Sequence, residues 1–286
     1  MKSQWECLLE NLGEWQGSFT QLGPDGEILA NTPTLVAFEG INNNQTMRQL
    51  VRRFLPSQDA SGKPEIQDKI LEYSSLNRGT LFFENGAFSQ GSMQFGPLAE
   101  FGAELGLIAG DRRLRLVQLF NRDANFHQLT LIRETRAGTE VVERPLLQLP
   151  ELLGEWQGEA VTIYPDWRSP DTYPTRLKLH QESPKQLVQQ LTFGVGDTAR
   201  TITSTARIDG SILHFDQSAQ AVRVLLLSNG ASSNCPQHLQ VGQPFVLEVG
   251  WLIEPDLRQR MVRRYDAQGG WSSLTLVTEK KISATN

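Results

Sequence analysis

The segment Leu12-Gly13-Glu14-Trp15-Gln16-Gly17 is spelled a second time as Leu153-Gly154-Glu155-Trp156-Gln157-Gly158. The two tryptophans lie 141 positions apart (156 minus 15), close to half of the 286-residue chain. The register continues past the hexapeptide. At the same offset Pro33-Thr34 falls on Pro174-Thr175. At an offset of 144, Leu81, Asn85-Gly86-Ala87, Phe101, Glu104 and Gly106 fall on Leu225, Asn229-Gly230-Ala231, Phe245, Glu248 and Gly250. At 145, Arg113, Arg115, Val117, Leu129-Thr130-Leu131 and Glu134 fall on Arg258, Arg260, Val262, Leu274-Thr275-Leu276 and Glu279. An offset that drifts so little from end to end makes the chain two tandem copies of one domain. We divide it into residues 1–144 and 145–286, with Glu140 to Leu149, bearing Pro145, as the linker.

Each copy reads the same way. Trp5, Leu8, Leu9 and Leu12 stand at helical spacing, and Leu149-Pro150-Glu151-Leu152-Leu153 places proline where a helix's first turn tolerates it. Short strands follow, beginning at the Gly-Glu-Trp segment and punctuated by turns such as Gly23-Pro24-Asp25-Gly26. Pro56 to Asp68 reads as an exposed loop, and Ala87 to Phe95 as one strand. Many short strands in meander order predict an all-β fold: two separate up-and-down antiparallel barrels, each opened by a short helix that plugs one end. Trp15 and Trp156 are then the buried plug residues.

Composition excludes several classes. A net charge of −5 and a pI near 5.5 lack the basic stripe that nucleic acid requires. Cys7 and Cys235 do not match between copies and read as free thiols in a reducing compartment, Cys235 as a surface or edge thiol in a Ser-Ser-Asn-Cys-Pro turn. No apolar leader or bilayer-length run occurs, so a cytoplasmic location, or the stroma for a plastid relative, is expected. His127, His180, His214 and His238 are unmatched and lack metal-ligand spacing, and no nucleophile elbow, phosphate loop or Cys-x-x-Cys is present.

A Gly-x-Trp on the first strand after a short helix, followed by a strand meander, resembles the calycins, the lipocalin and fatty-acid-binding group. Phe82-Phe83-Glu84-Asn85-Gly86-Ala87-Phe88-Ser89, then Glu104, then Arg113-Leu114-Arg115-Leu116-Val117, resembles the S-type phycobilin lyases of cyanobacteria. It is also similar to a cyanobacterial and plastid family of uncharacterised double-calycin proteins, a resemblance that spans the whole chain. Lipocalins set an arginine near the end of the last strand over the tryptophan; Arg133 fits that place in the first copy, whereas the second has Thr278.

Glu104 with Arg115, and Glu248 with Arg260, are the candidate site pairs. With Ala109-Gly110 as the turn, Glu104 is expected opposite Arg115 and Gly106 opposite Arg113. Strand alternation puts Gly102, Glu104 and Gly106 on one face, and Arg113, Arg115 and Val117 on one face. One reading is ordinary cross-strand charge pairing, worth about 0.2–1 kcal/mol. The other places the pairs inside the barrels, where Arg113, Arg115, Arg258 and Arg260 would grip a ligand carboxylate and the glutamates would accept from an N–H donor. The glycines beside Glu104 make the first barrel the expected binding one. Trp251 and Trp271, which replace Leu107 and Phe126, read as core fillers; the loop Tyr164-Pro165-Asp166-Trp167, unique to the second copy, reads as lid, partner contact or rim packing.

Three functions stay open. The first is a small-molecule binding protein; the resemblance implies an apolar carboxylate such as a bilin or other photosynthetic pigment. The second is a bilin lyase or chaperone acting on a biliprotein. The third is a non-catalytic assembly module that contacts a photosynthetic or phycobilisome protein.

Overall fold

A computed structural model describes residues 2–57, 62–140, 142–196, 199–217 and 220–282. The first copy comprises α1 (Gln4–Leu9) and strands β1 (Gly13–Leu22), β2 (Ile28–Ile41), β3 (Thr46–Leu55), β4 (Glu65–Tyr73), β5 (Thr80–Phe82), β6 (Phe88–Gly91), β7 (Phe101–Ala109), β8 (Arg112–Phe120) and β9 (Phe126–Arg136). The second comprises α2 (Leu149–Leu152), β10 (Gly154–Ile163), β11 (Asp171–Ser183), β12 (Gln186–Phe193), β13 (Arg200–Asp209), β14 (Ile212–Phe215), β15 (Val222–Leu226), β16 (Ala231–Pro236), β17 (Phe245–Glu254), β18 (Leu257–Tyr265) and β19 (Trp271–Ile282). Each copy forms its own antiparallel sheet, and no named strand is shared between the two sheets. The expected loop at Pro56–Asp68 gives way to strand from Glu65 onward, while residues 58–61 lie outside the described residues.

The hexapeptide repeat has a steric reason. Gly13 and Gly154 turn from helix to strand at φ of 112° and 115°, a backbone that side-chain-bearing residues avoid. Gly17 and Gly158 let the closing strand cross: a Cβ there would lie 1.8 Å from the Arg133 carbonyl oxygen and 2.2 Å from that of Thr278. Trp15 and Trp156 are fully buried, and each indole N–H donates to a carbonyl at the end of its plug helix, Asn11 O and Leu152 O, both at 2.9 Å.

The two sheets close differently. The second is a complete barrel, β10 through β19 in order. The first runs β4-β3-β2-β1-β9-β8-β7-β6-β5 and stays open between β4 and β5, so the expected closed barrel is a half-barrel here. Chain length decides this. Twelve residues (210–221) link β13 to β15 and lay β14 between them, whereas six (74–79) link β4 to β5. At the open seam the Gln4 side-chain amide substitutes for the missing strand: Nε2 donates to Phe82 O (2.9 Å) and Oε1 accepts from Phe82 N–H (2.6 Å).

Leu114, Leu116 and Phe120 point away from the first sheet's interior and pack on the matching face of the second, in a core drawn from both copies. The contacts are reciprocal. Phe126 N–H donates to Gln237 O and Trp271 N–H to Met93 O, both at 2.8 Å. Leu239 N–H donates to Ala124 O (2.9 Å) and Phe95 N–H to Gly269 O (2.8 Å). Gln118 donates to Ser233 Oγ (2.8 Å), while its counterpart Arg263 donates to Ser89 Oγ (3.1 Å), the counterpart of Ser233. The corresponding residues Phe101 and Phe245 touch each other, ring centres 5.6 Å apart. Such i-to-j and j-to-i contacts define an isologous interface with an approximate dyad between the copies. Cys235, expected at an edge or surface, is buried in β16, and burial pushes its thiol pKa up to about 12.

Candidate functional site

Alternation on β8 turns Arg113 and Arg115 into the first sheet's concave interior while their neighbours face the other copy. The hairpin register differs from the expected one. The turn is Gly110-Asp111, which pairs Gly106 with Arg115, Glu104 with Val117 and Ile108 with Arg113; Gly250 likewise pairs with Arg260, and Glu248 with Val262. Glu104 and Arg115 are therefore diagonal neighbours on one face, and still meet: Arg115 Nη1 donates to Glu104 Oε1 at 2.6 Å.

The centre of the cluster is a residue that the sequence reading leaves out of the site. Glu134, on β9 and directly opposite Arg113, is buried and binds both arginines. Arg113 Nε donates to its Oε2 at 2.7 Å; Arg115 donates from Nε (3.0 Å) and Nη2 (2.8 Å) to its two oxygens. The second copy repeats this with Glu279, which accepts from Arg260 Nε (3.1 Å) and Nη2 (3.2 Å) and lies 3.5 Å from Arg258 Nη1. Arg260 Nη1 also reaches Glu248 at 3.4 Å. The available signal was that Glu134 falls on Glu279 at the same offset as the arginines.

Electrostatics follow from this closure. Burial alone lowers the pKa of Arg115 and of Arg260, but each is outweighed by its two glutamates, so both end raised. Arg113 and Arg258, with less compensation, end lowered by burial. Burial would raise Glu134, yet Arg113 and Arg115 hold it below the usual carboxylate range. Each cluster contains two cations and two anions, so its formal charge is zero. The forks of Arg115 and Arg260 are occupied by protein carboxylates.

Trp15 is stacked between two cations, Arg113 at 4.4 Å and Arg136 at 4.5 Å from its ring centre. Arg136, three residues beyond the expected Arg133, also donates to Leu12 O at 2.6 Å. Lys281 repeats the arrangement over Trp156 (5.2 Å) and donates to Glu151 O (2.9 Å). Arg133 instead binds Ser18, Thr20 and Glu143.

The expected free space beside Glu104 is filled. A Cβ on Gly106 would lie 2.5 Å from the Phe88 ring, and one on Gly102 would lie 2.4 Å from the Gln118 carbonyl oxygen. Across from Gly250, the position of Phe88 is held by Ser232. Accordingly the second barrel holds a cavity of about 100 Å³. Leu177, Leu179, Leu187, Leu213 and Phe215 form much of its apolar wall, and Ser232, Asn234, Glu248, Arg258 and Arg260 its polar wall. Two buried polar atoms on that wall make no hydrogen bond: Asn234 Oδ1, an acceptor, and Arg258 Nη1, a donor whose contact with Glu279 is the 3.5 Å ion pair. Among the described residues no helix is long and apolar enough to cross a membrane, and no three His, Cys, Asp or Glu gather to hold a metal.

Over its full length the chain is similar to a crystal structure from Nostoc punctiforme, a DUF3598-family protein of unknown function. The two share 53% identity with a TM-score of 0.89, covering 99% of this chain and 100% of that one. The chain belongs to the DUF3598 family. The family's N-terminal domain model matches residues 1–139. Residues 143–282 match the C-terminal domain of "Biogenesis factor required for ATP synthase 1". An S-type phycobiliprotein lyase, CpeS from Guillardia theta, is a remote structural neighbour at 9% identity and a TM-score of 0.37, covering 48% of this chain and 91% of that one. No curated protein sequence matches. Family membership fits the double-calycin family recognised from the motifs.

Proposed function

We propose that this DUF3598 protein is a small-molecule binding protein whose site is the interior of the second barrel. The observation that carries the reading is the cavity of about 100 Å³ whose polar wall holds an acceptor without a hydrogen bond, Asn234 Oδ1, and a donor, Arg258 Nη1, with only a 3.5 Å ion-pair contact to Glu279. Unpaired buried polar atoms are costly, and a ligand that pairs both recovers that cost. The matching head group accepts from Arg258 and donates to Asn234, as an amide or an un-ionised acid does. An ionised carboxylate would add net charge to a cluster already at zero. The volume is below the ~150 Å³ cavity that takes benzene, so the ligand is a short apolar amide or the end of a longer chain. A bilin, with two propionates and a far larger body, suits this cavity poorly.

The test titrates octanamide and octanoate into the labelled protein and follows cavity resonances by NMR. Octanamide should bind more tightly than octanoate, and Ser232→Phe should abolish binding without unfolding the barrel. Equal shifts in wild type and Ser232→Phe would remove the cavity from the function.

A second reading, an assembly module, is favoured by the open seam: all of β4 but its last residue is exposed, and among the described residues no strand pairs with its outer edge. A strand from a partner would complete the half-barrel. The match of the C-terminal half to an ATP synthase biogenesis factor makes that enzyme's soluble subunits the partners to try. Amide exchange in β4 that slows when those subunits are added supports the reading; unchanged exchange with every subunit removes it.

A further inference from the structure

We propose a second binding site, between the two copies, for a flat aromatic amphiphile with one anionic group. A groove of about 550 Å³ lies there, in the size range of small-molecule pockets. One wall comes from the first copy, with Leu81, Phe82 and Phe83 at its floor and Lys2, Gln4 and Glu84 along its rim. The facing wall comes from the second copy: Val161, Ile163, Leu276 and the loop of Tyr164, Trp167 and Pro170.

The approximate dyad shows what this place lacks. The wall related to it, Leu225 to Asn229, is covered by the chain's own linker: Leu147 N–H donates to Leu227 O (2.9 Å), and Asn229 N–H to Arg144 O (3.0 Å). Arg223 then bridges across to the first copy, donating to Pro24 O (3.2 Å) and pairing with Asp25. On the Trp167 side, position 79 is glycine where the dyad mate has Arg223, so no such bridge forms, and the apolar walls stand apart.

The loop is built to hold an indole at that opening. Trp167 is 68% exposed and sits at φ 64°, the left-handed region that bulky residues avoid. Its N–H closes a turn on Tyr164 O (3.1 Å), Arg168 lies 3.6 Å from the Tyr164 ring centre, and Tyr164 hydroxyl is hydrogen-bonded to Asp171. An exposed indole over an apolar groove is a surface on which a flat ring stacks. Charge selects the head group. Lys2 is held by Glu10 at 2.5 Å, so Arg168, which reaches Asp166 only at 3.5 Å, is the groove's cation left to meet a single anion.

The full chain is titrated with 1-anilinonaphthalene-8-sulfonate and with N-phenyl-1-naphthylamine, the same body without the sulfonate, by probe fluorescence. Saturable one-to-one binding is expected, tighter for the sulfonate. Trp167→Ala should weaken both probes by about tenfold, the scale of one lost stacking contact. Arg168→Gln should erase the preference for the anion, while Ser232→Phe changes neither. Because Trp167 is exposed, Trp167→Ala and Trp167→Gly should melt no lower than the parent. Binding unchanged within about twofold in Trp167→Ala overturns the proposal, as does loss of binding in Ser232→Phe alone, which would place the probe in the barrel cavity.

Discussion

Glu134 is the residue on which the first sheet's interior depends. It compensates Arg113 and Arg115 at once, and removing its charge strands Arg113 and leaves Arg115 with Glu104 alone. Glu134→Gln should therefore destabilise the protein by about 3–5 kcal/mol in urea unfolding, the usual cost of breaking a buried pair. The pH dependence has a definite sign. Because the arginines hold the folded-state pKa below the ordinary 4.5, its contribution is complete above that value and is lost as pH falls through the lower, folded value. Wild type should lose stability on acidification below about pH 4.5, and Glu134→Gln should show a shallower loss there. Trp15→Ala should cost about 3–5 kcal/mol in the same assay, since it empties the space between two stacked cations as well as the plug. A melt within a degree or two of the parent would show that the plug is dispensable.

Among the elements, the pair β6 and β16 decides which interior is full. Phe88→Ser should open a cavity beside Gly106 and destabilise the first sheet by about 3–5 kcal/mol, measured by urea unfolding, with the new volume visible in a crystal structure. The open seam makes its own prediction: amides of β4 should exchange faster than those of β13, because one edge of β4 has no strand partner among the described residues. Much of this architecture was legible. The repeated hexapeptide, the short helices and the inward alternation of Arg113 and Arg115 are periodic signals. The seam was not, because it depends on whether six residues or twelve separate two strands, a difference that a small drift of offset conceals. The hairpin register shifted because the turn falls one residue later than a glycine-based choice suggests. The filled space beside Glu104 was invisible for a different reason: the atoms that fill it belong to Phe88, on a strand whose pairing no local pattern reveals.

At the scale of the molecule, the core between the copies is larger than either interior, so the halves should not unfold separately. Calorimetry should record one transition, and residues 1–140 and 142–286 expressed together as two chains should copurify one to one, while each alone self-associates; two resolved transitions would contradict this. The reciprocity of that contact has a consequence for how the two halves came to differ. In a pair of identical subunits every substitution appears twice, so a change that empties one interior empties the other, and stability suffers twofold. Once both copies sit on one polypeptide, each position can change alone. Phe88 could keep one interior packed while Ser232 hollowed the other, and Gly79 could leave a gap that Arg223 spans on the far side. On one polypeptide, what would be a symmetric pair obliged to do one thing twice is a single body whose two interiors can differ.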